Sequence, residues 1–192
     1  MVALYTKFKY YIGWTMAESA TIASGQAYNG KQNGEHKFDR FYAIEVKAVE
    51  LGVFAVWVAE GWNHNGHMWL KRYIYFRMNR IINRDAALYL TYIVSAFWHG
   101  FYPMYFFSFI LYALFTEAHK ELYAYCCRHS FMRFPPILVF IYILSYLGTN
   151  YLGMLFDLLL YKDVKTFMSG IYWIPLLNIT LLIVLKTMCI IC

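Results

Sequence analysis

The sequence predicts an all-α fold: a polytopic transmembrane helical bundle of about five spans with one additional re-entrant or interfacial helix. Three observations carry this expectation. Hydrophobic residues make up 61% of the 192 residues and charged residues 15%, whereas soluble domains hold roughly 45–50% apolar and about 25% charged residues. The apolar residues come in long blocks, with no Asp, Glu, Lys or Arg in 86–116, 134–156 or 166–185. Each block can supply the roughly 20 apolar residues that a helix needs to cross the hydrocarbon core. None shows the two-residue alternation of a membrane barrel.

Residues 8–27 form the first expected span, unusual for Glu18 at its middle among Ser19, Ala20, Thr21, Ala23, Ser24 and Gly25. Small residues of this kind let helices approach closely inside a bundle. Residues 30–40 are polar and read as a loop. Residues 41–62 interleave Glu45, Lys47, Glu50 and Glu60 with apolar side chains, too much charge for a lipid-facing span, and so predict an amphipathic or re-entrant helix. Aromatic and basic residues alternate at near-helical spacing over 69–82, as in a helix lying at the interface. Residues 86–101 and 105–124 read as two spans parted by Gly100 and Pro103, 119–133 as a polar turn, and 135–161 and 167–191 as the last two spans.

The net charge of +6, from 17 Lys and Arg against 11 Asp and Glu, is concentrated. Lys71, Arg72, Arg77, Arg80 and Arg84 are opposed locally only by Asp85. Such a cluster marks a cytoplasmic loop, and it can also attract phosphate groups or anionic headgroups. No nucleic-acid-reading module accompanies it, so a nucleic-acid partner is excluded. Cys126, Cys127, Cys189 and Cys192 do not form a disulfide framework.

Ionisable groups at bilayer depth are costly and therefore point to function. Glu18 and His99 are two of them. His99 suits a general base that removes a hydroxyl proton during acyl transfer, and it equally suits a histidine hydrogen-bonded to a neighbouring helix. His64 and His67, with His99, have the residue types of a three-nitrogen zinc site, but no carboxylate pattern supports one, and no metal is expected. Asn63 and Asn65 fit either a ligand-orienting amide or a helix cap. Glu18 fits either a buried ion-pair partner or a group supporting a site. Aromatic residues crowd 98–115, as packing or as the wall of an acyl-chain channel.

Several motifs together carry a resemblance. Trp62-Asn63, then Trp69-Leu70-Lys71-Arg72-Tyr73-Ile74-Tyr75, then Ser95-Ala96-Phe97-Trp98-His99-Gly100-Phe101-Tyr102-Pro103 resemble the membrane-bound O-acyltransferase family, in its lysophospholipid acyltransferase branch. The segment from Tyr11 through Glu18 to Tyr28-Asn29-Gly30, and Phe38-Asp39-Arg40, resemble the same branch. The match covers most of residues 5–115. This chain departs from the family pattern at Gly66, near a usual threonine, and at Met104, where glycine usually follows the proline.

The resemblance implies a partial membrane domain over 1–192, lacking the family's N-terminal spans, in the endoplasmic reticulum membrane. It implies transfer of a fatty acyl group from acyl-CoA to the free hydroxyl of a lysophospholipid, as in phospholipid remodelling. The family's active-site histidine and asparagine fall on His99 and Asn63, and Glu18 on an acidic residue typical of the branch. No cofactor is expected, acyl-CoA being a co-substrate. The partners are acyl-CoA, lysophospholipid and membrane lipids, and the oligomeric state is left open. No Cys or Ser adjoins His99 as a covalent nucleophile, so direct transfer is the simpler expectation. The basic stretch adds an expectation of its own: Lys71, Arg72 and Arg77 are placed to meet the phosphates of CoA. A protein or sterol acceptor, and an inactive scaffold or transporter, stand as the alternatives.

Overall fold

The computed structural model describes residues 2–170 together with Thr180 and Val184. The chain is mostly helical, as the apolar blocks require. The first helix, α1 (Val2–Ala23), is followed by a small antiparallel hairpin, β1 (Lys31–Gln32) and β2 (Glu35–His36). Three short helices come next: α2 (Val46–Leu51), α3 (Ala55–Gly61) and α4 (His64–Leu70). A π-helical segment, Lys71–Tyr75, then runs into α5 (Phe76–Met78). The long elements are α6 (Arg84–His99), α7 (Pro103–Arg128) and α8 (Pro135–Asp157). They are joined by a 3₁₀ turn, Ser130–Arg133, between α7 and α8, and followed by α9 (Tyr161–Gly170).

The helix boundaries have local causes. Asn83 Oδ1 accepts from the Ala86 N–H at 2.8 Å and starts α6, satisfying one of the donors that a helix N-terminus leaves open. Gly100, at φ 134°, takes a backbone conformation closed to other residues and ends α6 directly after His99. Pro103 and Pro135 begin α7 and α8 at the position where a missing N–H costs nothing.

Residues 30–40 are not simply a loop. Asn33 and Gly34 both have positive φ, the Asn-Gly turn that closes two-residue hairpins. Around it the Asn29 side chain donates to Asp39 at 2.8 Å, and the Arg40 N–H donates to Ala27 O at 3.1 Å. The two upstream stretches that carry the resemblance therefore meet each other. The single amphipathic helix expected over 41–62 is two helices, broken at 52–54 beside Gly52, a poor helix former. The polar turn expected from residue 119 begins only after Arg128, because Glu117 and Lys120, one turn apart, pair and carry α7 past its apolar half.

Among the described residues one helix, Pro135–Asp157, is long and apolar enough to cross a membrane. It leaves Val139, Phe140, Ile143 and Leu147 exposed, an apolar stripe at helical spacing that needs a partner surface or lipid. Helix α6 has 16 residues, short of a full crossing, and α1 carries Lys7, Lys9 and Glu18. The expected span at 167–191, and Cys189 and Cys192 with it, lie largely outside the described residues.

The core forms where α7, α8 and α9 pack. Phe115, Leu152, Leu155 and Met168 are fully buried there. Gly148 lets the Phe115 ring lie against α8, since a Cβ would fall 2.3 Å from its Cζ. Met104, at one of the departures from the family pattern, is buried in the same apolar cluster.

Candidate active site

A cavity of about 580 Å³ opens between α1, the α3–α4 region and the faces of α6, α7 and α8. Both Asn63 and His99 line it. The sequence separates them widely, and the fold brings them to one hollow.

His99 ends α6. Its ring stacks on Phe109 (5.2 Å between centroids, 28°) and meets Phe156 edge-on at 4.9 Å. Aromatic walls restrict the imidazole's rotation, yet the residue stays exposed. No hydrogen bond from the described residues engages its nitrogens, so they remain available to a ligand's proton. The adjoining Trp98 packs edge-on against Trp69 at 5.1 Å, tying the histidine motif to the helix that follows Asn63.

Asn63 sits at φ 45°, ψ 55°, in the left-handed region that asparagine tolerates. Its Oδ1 accepts from the Gly66 N–H at 3.3 Å and caps α4. The helix-cap reading of this amide is therefore realised, and it leaves the Nδ2 donor without a protein partner among the described residues. Gly66 makes the arrangement fit: a Cβ there would lie 2.7 Å from Asn63 Nδ2 and 2.9 Å from its Oδ1.

The Asn63 turn is held from behind by an extended strand of chain. Ala43 O accepts from the His64 N–H at 2.8 Å, Tyr42 O accepts from the Asn65 side chain at 2.7 Å, and the Glu45 N–H donates to Gly61 O at 2.9 Å. Glu18 does not line the cavity. Its Oε2 accepts from the Ala43 N–H at 3.2 Å, so it steadies the strand that steadies Asn63. His64 faces away from the cavity, stacked on Tyr42 at 4.1 Å, whereas His67 is on the cavity wall. Burial, followed by the Lys71 charge, holds the His67 imidazole below its ordinary pKa. Among the described residues no three His, Cys, Asp or Glu side chains are gathered as a metal site would need.

Of the three candidate phosphate contacts, Lys71 lines the cavity, while Arg72 and Arg77 do not. Arg77 lies over the Tyr73 ring at 5.4 Å. Three cations outside that set do line it: Lys7, paired with Glu50 at 2.8 Å, and Arg84 and Lys120, both paired with Glu117, Arg84 at 3.8 Å. Sequence reasoning also missed Tyr10, Trp14 and Asp157 on the wall. The spacing of Tyr10 and Trp14, four residues apart on a helix, was the readable signal.

The family model for membrane-bound O-acyltransferases matches residues 1–156. The chain is 29% identical over 183 residues to membrane-bound glycerophospholipid O-acyltransferase 2 of Homo sapiens, which covers 92% of this chain and 34% of that protein. It is 34% identical over 131 residues to a lysophospholipid acyltransferase of Saccharomyces cerevisiae, covering 66% of this chain and 21% of that one. To lysophospholipid acyltransferase 1 of Arabidopsis thaliana it is 29% identical over 184 residues, covering 91% and 39%. The chain thus spans between a fifth and two fifths of the length of these relatives. With a match over most of its residues, joined to a membrane-length apolar helix and to the histidine and asparagine motifs on one cavity wall, the chain belongs to the membrane-bound O-acyltransferase family.

Proposed function

We propose that this chain carries the reacting centre of an acyl-CoA:lysophospholipid acyltransferase, a multi-pass protein of the endoplasmic reticulum membrane. The observation that supports this reading best is the shared cavity of His99 and Asn63. A general base and an amide donor on one wall can act on the same hydroxyl and the same thioester.

The chemistry is a direct transfer. His99 removes the proton from the acceptor hydroxyl as its oxygen attacks the thioester carbonyl. The free Nδ2 amide of Asn63 donates to the carbonyl oxygen as negative charge builds there. The carbon–sulfur bond then breaks, and the leaving thiolate takes the proton back from the imidazolium. The aromatic wall of Trp14, Trp62, Phe109 and Phe156 keeps water from competing for the thioester. Lys71, Arg84 and Lys120 provide the positive charge that the phosphates of CoA need at the other end of the cavity.

The test uses membranes carrying the chain, a labelled acyl-CoA and a panel of acceptors: lysophospholipids, a sterol and a serine peptide. Label is expected on the lysophospholipids alone. His99→Ala is expected to slow transfer by roughly 10²–10⁴-fold while membrane insertion is unchanged. Undiminished turnover in that variant overturns the base assignment, and label on the sterol or the peptide overturns the acceptor class.

A further inference from the structure

Acyl transfer by His99 and Asn63 makes no use of Asp157, the last residue of α8. Asp157 lines the same cavity. Its Oδ2 is buried with no hydrogen-bond partner, and none of the ion pairs among the described residues includes it. A carboxylate oxygen withdrawn from water is costly until a cation or a donor meets it. Lys7, Arg84 and Lys120 on the same wall are already engaged, Lys7 by Glu50 and the other two by Glu117.

The surroundings of Asp157 are aromatic. It lines the cavity with Tyr10, and the Phe156 ring beside it in sequence lies 4.7 Å from the Tyr105 ring. The Tyr10 ring stands 5.2 Å from Trp14 and 5.7 Å from Trp62, and the two indoles meet at 4.9 Å and 77°. All three rings line the cavity and none is fully buried. The neighbouring Phe156 touches the His99 ring. A cluster of electron-rich rings and a carboxylate with one unpartnered oxygen thus share the cavity of the imidazole. Ring faces attract cations, and they bind quaternary ammonium groups in particular, which cannot form hydrogen bonds. A carboxylate beside them adds a full opposite charge and disfavours anions.

We infer that Tyr10, Trp14, Trp62 and Asp157 seat the positively charged headgroup, choline or ethanolamine, of a zwitterionic lysophospholipid. The seat shares its cavity with His99, where the same molecule would present its glycerol hydroxyl. The inference takes its ligand class from the acyltransferase reading, but the binding it asserts needs no turnover.

The experiment is a competition. A photoactivatable lysophosphatidylcholine is cross-linked to the chain in phosphatidylglycerol nanodiscs, which carry no ammonium headgroup of their own. Unlabelled lysophosphatidylcholine, lysophosphatidylethanolamine and lysophosphatidylglycerol with one common acyl chain then compete. The two zwitterionic lipids are expected to compete at about tenfold lower concentration than the anionic one. Asp157→Asn is expected to bring that ratio near one, and Asp157→Glu to keep most of it. Trp14→Leu is expected to weaken the choline lipid more than the ethanolamine lipid, because an ammonium N–H can still donate to the carboxylate. Equal competition by all three lipids in the unaltered chain overturns the proposal, whether or not any variant folds. So does a ratio that survives Asp157→Asn. Loss of acyl transfer to every acceptor with the ratio intact refutes the acyltransferase reading and leaves the headgroup seat standing.

Discussion

The two ends of the cavity are built on opposite principles. At one end Lys71, Arg84 and Lys120 line the cavity, and Arg84 and Lys120, 67% and 42% exposed, pair with Glu117, whose side chain is only 10% exposed. At the other end His99, Asn63 and the aromatic rings are neutral or neutralisable groups held by stacking and by hydrogen bonds to backbone. The difference follows from solvation. Cations are cheap where water still reaches them, and there they can exchange water for phosphate. A reacting imidazole and an oxyanion donor gain strength once bound substrate displaces the water that still reaches His99, and neutral resting groups lose little by that displacement. Asp157 is the exception at the reacting end.

This contrast sets different kinds of damage for the two ends. Short of removing the imidazole itself, the largest effect is expected from Gly66→Ala. The new methyl would overlap the Asn63 amide at 2.7 Å, and the amide, at the end of a flexible side chain, would move aside. Helix α4 itself gains from alanine, so the protein should fold as before. On the proposed mechanism, kcat is expected to fall by roughly 10²-fold, the loss of one oxyanion donor, with the KM for acyl-CoA unchanged. An unchanged kcat would show that Asn63 serves as a helix cap and nothing more.

At the basic end the reverse split is expected. In the double variant Arg84→Ala, Lys120→Ala, the KM for acyl-CoA should rise about tenfold, with kcat nearly constant, because exposed charges attract phosphate without touching the reacting bond. The effect should shrink as salt is raised from low ionic strength, since screening already weakens the intact site. A salt-independent loss, or one that falls on kcat, would mean that Glu117, stripped of its partners, distorts α7.

That His99 and Asn63, the proposed reacting pair, line one cavity could be looked for from the sequence because both are chemically distinctive. A histidine in a long uncharged block and an asparagine after a tryptophan stand out, and Gly100 and Pro103 mark the break that exposes the histidine. The basic end was legible only as a density of charge. Which of its cations face inward is a matter of helical phase: Lys71 and Tyr75, four residues apart, line the cavity. Arg72 and Arg77, one and six residues on from Lys71, fall on other faces. Lys120 was hidden for another reason: it falls where the span expected over 105–124 overlaps the polar turn expected over 119–133. Asp157 falls inside the span expected over 135–161, where nothing marks it, and only the end of α8 at that residue and the packing of α1 against α8 put it on one cavity with Tyr10. The Asn33-Gly34 turn was in plain view, but strands of two residues leave no alternation to detect.

The smallest effect separates position from charge at Glu18. This side chain reaches the reacting end through backbone alone: Glu18 to the Ala43 N–H, then Ala43 O to the His64 N–H, next to Asn63. If that chain of bonds is the whole of its role, an amide oxygen serves as well as a carboxylate oxygen. Glu18→Gln should then keep nearly full kcat, while Glu18→Ala, which leaves the Ala43 donor unmet in a buried residue, should cost about 1 kcal/mol of positioning, or about fivefold in kcat. The profile of kcat against pH should keep its shape in both variants, since neither changes a group that exchanges protons with substrate. A glutamine variant as impaired as the alanine one would mean that the negative charge itself is needed, and Glu18 would then belong with Asp157 among the groups that answer a cation.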